Sequence, residues 1–119
     1  MLYTELKIGN DTYKLRLTTK GAIALEKSLG FNPITMLIDI DKGIMPKLGD
    51  VLTVLHGTLQ AYHHGMNFDA VCDLYEKYIE DGHGMFDLIP LFVEVFQNGG
   101  YLSTKTEAAN EGIEEDGKN

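Results

Sequence analysis

A chain of 119 residues with a hydrophobic fraction of 44% is sized for one folded domain. Its net charge of −8 and its pI of about 4.8 surround it with a negative field, which excludes phosphate backbones and anionic bilayers as docking surfaces. Cys72 is the only cysteine, so no intramolecular disulfide forms and a reducing cytoplasm suits the chain.

The N-terminal residues Met1-Leu2-Tyr3-Thr4-Glu5 lack a basic segment and an apolar stretch, so no secretory signal is expected. Tyr3 to Ile8 and Thr12 to Leu17 alternate with period two on either side of Gly9-Asn10-Asp11, which predicts a β-hairpin. Its buried set is expected to be Leu6, Ile8, Tyr13, Leu15 and Leu17. A lone hairpin is marginal in water, so it must pack on helices or on another chain.

Thr18 or Thr19 caps a first helix running to Leu29, with Ala22, Ile23, Leu25 and Leu29 on its apolar face and Gly30 at its end. Asn32 and Pro33 open a second, short helix through Ile40. Gly43 and Pro46 break the chain, and Asp50 is expected to cap a third helix. Its apolar face carries Val51, Leu52, Val54, Leu55, Thr58, Leu59 and Tyr62 at three-four spacing. Asn67 caps a fourth helix whose buried stripe is read as Phe68, Val71, Cys72, Tyr75, Tyr78 and Ile79.

The fifth helix, Phe86 to Gln97, is apolar on nearly every side, which marks either a core centre or an interface. In so small a domain the interface reading is favoured, with Leu88, Ile89, Leu91, Phe92, Val95 and Phe96 as its partner-binding residues. Its longest apolar run is cut by Asp87, Pro90 and Glu94 and is too short and too charged to span a bilayer. From Ser103 to Asn119 the chain holds five acids against two lysines, a balance of −3 that leaves −5 for the remainder, and almost nothing to bury. The chain therefore divides into a folded part, 1–102, and a disordered acidic tail, 103–119. The expected fold is mainly α: a hairpin, a compact bundle of about five helices, and that tail.

No catalytic constellation emerges, so an enzyme is not expected. His56 and His63 stand seven apart, and with Cys72 or His83 they would build a transition-metal site on paper. There is no HExxH or CxxC spacing, and His63-His64 suits a helix C-terminus, so neither metal nor cofactor is expected. Asp69, Asp73, Glu76 and Glu80 read as the wet side of the fourth helix. Asp39-Ile40-Asp41-Lys42-Gly43 fails as a calcium loop, because Asp50 stands where the loop's glutamate belongs. Cys72 lies on an apolar face and is expected to pack rather than react. Met36, Met45, Met66 and Met85 offer adaptable apolar contacts.

The run from Thr12-Tyr13-Lys14-Leu15 through Glu26-Lys27-Ser28-Leu29-Gly30-Phe31-Asn32-Pro33 resembles the opening of the small tail assembly chaperones of long-tailed phages with Gram-positive hosts. There a strand pair leads into a helix with a conspicuous glutamate, then a glycine and an asparagine-proline. Asp73 to Gly82 is similar to that family's helix before a glycine break, and Leu88 to Gly100 to its closing apolar helix. The resemblance covers about residues 3 to 102. It implies a non-catalytic protein of the infected or lysogenic host's cytoplasm. Such a protein binds the tape measure protein and keeps it soluble while tail tube protein polymerises around it. Self-association is also expected, since hairpin edges and the apolar last helix invite partners. The alternative class is a structural phage component, a head-tail connector or tail completion protein, which would remain in purified virions.

Overall fold

The computed structural model describes residues 2–102. A two-stranded antiparallel hairpin is followed by five helices: β1 (Thr4–Ile8), β2 (Asp11–Leu15), α1 (Thr19–Leu29), α2 (Pro33–Asp41), α3 (Leu48–Leu59), α4 (Phe68–Glu80) and α5 (Met85–Asn98). This is the mainly helical class with an N-terminal hairpin. The acidic segment 103–119, expected to be disordered, lies outside the described residues.

The hairpin is shorter than the alternation suggests. Asp11 pairs with Ile8, leaving Gly9-Asn10 as the turn, and β2 ends at Leu15. Thr4, Leu6 and Ile8 face inward with Leu15, while Glu5, Lys7, Thr12 and Lys14 face water. Tyr13 is only half buried.

Local chemistry sets most helix ends. The Thr18 hydroxyl accepts the Gly21 N–H at the start of α1. Gly30 closes that helix at φ 82°, a left-handed conformation that favours glycine, and its N–H donates to the Glu26 carbonyl. The side chains of Asn32 and Asn67 cap α2 and α4 by accepting the N–H groups of Ile34 and Ala70. The Asp87 carboxylate accepts the Gly84 N–H at the start of α5. In α3 the sequence misleads: the helix begins at Leu48 after Lys47, without a side-chain cap, and Asp50 sits inside its first turn. An acid there still favours the helix dipole.

The core forms around α3, whose Val51, Leu52, Val54, Leu55, Thr58 and Leu59 are all buried. It packs against α1, α4, α5 and β2. The Arg16 N–H donates to the Thr58 carbonyl, tying the hairpin to the end of α3. On the other strand, the buried Thr4 hydroxyl donates to Glu94 Oε2 of α5 at 2.9 Å. At the end of α5, Gly99 comes so close to the hairpin's exit that a Cβ there would lie 2.7 Å from the Leu17 carbonyl oxygen. Beyond it, the Tyr101 hydroxyl donates to Glu26 Oε2 at 2.6 Å, closing the C-terminal end onto α1. Burial, followed by this bond to Glu26, pushes the Tyr101 phenol up to about 12.

Several apolar assignments change. Ile23, Phe68, Ile79 and Tyr62 are exposed, while Leu74 is buried in α4 beside Val71, Tyr75 and Tyr78. Cys72 is half buried against the core. Each helix here packs on some neighbours and not others, so a broad apolar face is only partly covered.

Candidate functional site

The six residues assigned to partner binding do not form an open surface. Leu88, Phe92, Val95 and Phe96 are buried at 0–1% exposure in the centre of the core. Ile89 and Leu91 are half buried and packed against it. Helix α5 is apolar nearly all round because β1 and α3 both pack on it.

Exposed apolar side chains gather instead where α2 passes into α3. Ile44 and Met45 in the connector are 53% and 65% exposed, and Leu48 at the start of α3 is 46% exposed. The connector's shape comes from the end of α2, where the Asp39 carbonyl accepts the N–H groups of both Lys42 and Ile44 and turns the chain back on its helix. Pro46 then restricts the approach to α3. Between them lies a cleft of about 320 Å³. Its apolar lining is Phe31, Met36, Met45 and Pro46, with Asp39 and Asp50 contributing carboxylates. Met36 is the buried base of this cleft and Met45 its exposed lip. A thioether can reshape itself around an incoming apolar side chain at little cost, so this surface suits protein contact. Sequence reasoning had marked Met36 and Met45 as adaptable but missed Phe31 and Ile44. Their signal was an apolar residue on each side of a glycine or proline break.

Among the described residues, no group of three or more His, Cys, Asp or Glu side chains is placed to hold a metal. Three of the four histidines make ring contacts. The His56 ring meets Phe68 edge-on, and the His83 ring stacks on Tyr78 at 4.5 Å. His83 Nδ1 lies 3.5 Å from the Asp87 carboxylate. Burial, and then the Asp87 and Tyr75 charges, raise the Tyr78 phenol above its usual value. His63 Nε2 accepts the Lys14 backbone N–H at 3.0 Å, and its ring meets Tyr13 edge-on. Burial, then the Lys14 charge, lowers its pKa from the ordinary 6.5. The Lys14 ammonium stands over the rings of Tyr3 and Tyr62. Asp69, Asp73, Glu76 and Glu80 are exposed along α4. No helix among the described residues is long and apolar enough to cross a membrane.

Residues 3–118 match DUF6096, a family of unknown function. The chain belongs to that family. The DUF6096 match runs through both the helical part and the acidic segment, so the family's sequence pattern includes residues well beyond α5. No curated protein and no solved structure matches the chain.

Proposed function

We propose that this DUF6096 protein is a phage tail assembly chaperone, a non-catalytic protein of the host cytoplasm that binds the tape measure protein and keeps it soluble during tail assembly. The observation that carries this reading is the exposed apolar connector between α2 and α3, with its methionine-lined cleft. Ile44, Met45 and Leu48, close together in the chain, all stand in water at this one place. That surface suits the apolar stripe of an amphipathic helix, which recognises grooves through residues at i, i+3, i+4 and i+7. The acidic exterior keeps the resulting complex soluble. The resemblance of Thr12–Pro33, Asp73–Gly82 and Leu88–Gly100 to the phage chaperones supplies the identity of the partner. This reading takes the connector, rather than α5, as the binding surface.

The test is co-expression with the tape measure protein of the same genome, scoring its solubility and co-purification with and without this chain. Solubility that depends on this chain, with the two co-purifying, supports the reading. An insoluble tape measure protein with no association overturns it and turns the search to purified virions. Ile44→Asp with Met45→Asp, both at exposed positions, should abolish co-purification while leaving the far-UV circular dichroism unchanged.

A further inference from the structure

The two outer edges of the hairpin differ in how their main-chain groups are satisfied. Ile8 and Asp11 close the two-residue turn as a bonded pair, so Leu6–Tyr13 and Thr4–Leu15 are bonded pairs too. The N–H and C=O groups of Lys14 and Arg16 therefore point away from β1, and those of Glu5 and Lys7 point away from β2. On the β2 side the protein supplies partners. The Lys14 N–H donates to the His63 imidazole and the Arg16 N–H to the Thr58 carbonyl. On the β1 side it supplies none: among the described residues, nothing bonds the outward main-chain groups of Glu5 or Lys7. Both residues are exposed. Tyr3 turns toward Lys14 and Tyr62 on the β2 side, away from this edge.

We infer that β1 pairs with β1 of a second copy of this chain, antiparallel about a two-fold axis at Leu6, joining two hairpins into a four-stranded sheet. The charges on the strand select this arrangement. Two antiparallel copies can meet with Glu5 opposite Glu5, with Lys7 opposite Lys7, or with Glu5 opposite Lys7. The first two set like charges against each other, which destabilises a strand pair. The third sets a carboxylate against an ammonium twice over, once on each side of the axis. It also makes both Glu5–Lys7 pairs bonded pairs, each exchanging two N–H···O=C bonds, so every outward group of the two residues is satisfied. An edge guarded by lysines alone would repel every copy. Glu5 with Lys7 repels in the wrong registers and attracts in one. This two-fold contact uses the same patch on both copies, as closed dimers do. It lies on the hairpin, away from the α2–α3 cleft, and stands whether or not the chaperone reading does.

The experiment is sedimentation of the full chain over a concentration series, with far-UV circular dichroism as the check on folding. The wild type should dimerise. Glu5→Lys alone puts ammonium opposite ammonium, and Lys7→Glu alone puts carboxylate opposite carboxylate. Because symmetry doubles each change, either should raise the dimer dissociation constant by about tenfold or more. The double swap, Glu5→Lys with Lys7→Glu, should restore it. Glu5→Pro removes one outward N–H without touching the β1–β2 ladder and should also weaken the dimer. A wild type that stays monomeric overturns the inference. So do single variants that dimerise like the wild type, or a double swap that fails to recover.

Discussion

The last helix and the α2–α3 connector are both rich in apolar residues, yet they meet opposite fates. Helix α5 looked like a surface because it is apolar nearly all round, and the fold places its Leu88, Phe92, Val95 and Phe96 at the centre. The connector looked like a mere break between helices, and its Ile44, Met45 and Leu48 stand in water. The difference teaches that apolar content states how much a segment gains by burial but not whether a neighbour is there to provide it. Around α5, α3 and β1 close in. Around the connector, the chain turns back on α2 and leaves one side open.

The sharpest way to break this comparison is to truncate one side chain from each region. Phe92→Ala removes a ring that is fully enclosed, and it should cost about 3–5 kcal/mol in urea unfolding. Met45→Ala truncates a side chain that is 65% exposed and should change stability by less than about 0.5 kcal/mol. If Phe92→Ala is as mild as the Met45 change, α5 is not the centre of the core.

A smaller effect is expected where α5 meets the hairpin. Gly99 has an ordinary φ of −89°, so its role is space, not backbone freedom. In Gly99→Ala the new methyl would lie against the Leu17 carbonyl oxygen, a backbone atom that yields only if the end of α5 shifts. We expect a loss of about 1–3 kcal/mol by thermal or denaturant unfolding, as for other overpacked sites.

The smallest effect concerns the edge that the protein closes for itself. His63 must be neutral at Nε2 to accept the Lys14 N–H. Burial and the Lys14 charge lower its pKa below 6.5, so the unfolded chain takes up a proton before the folded one does. This contribution to stability is complete above pH 6.5 and is lost as pH falls through that value toward the lower folded one. Denaturant midpoints measured from about pH 7.5 down to about pH 5.5 should fall more for the wild type than for His63→Gln. Equal slopes would remove His63 from the account.

Much of the fold was legible because it is written in short-range chemistry. Thr18, Asn32 and Asn67 cap because a side-chain oxygen reaches an N–H two or three residues on, and Gly30 ends α1 because only a few residues take a positive φ easily. The candidate site was less legible. Its Met36 and Met45 are marked as adaptable by residue type, but Met45 comes against Phe31 and Met36 only where the Asp39 carbonyl turns the connector back. The error at Asp50 has the same origin. An acid three residues after a proline-lysine break reads as a cap, yet α3 begins at Leu48 with no side-chain cap, and Asp50 falls inside its first turn.

By itself, the sequence determined the hairpin, the five helices, most of their caps and their order, since period, turn residues and side-chain-to-backbone bonds act within a few positions. Only the tertiary structure decided which apolar faces are covered, which strand edge is closed, and where an exposed contact surface remains. Those outcomes depend on what other elements bring near, and the hydrophobic effect carries no direction of its own.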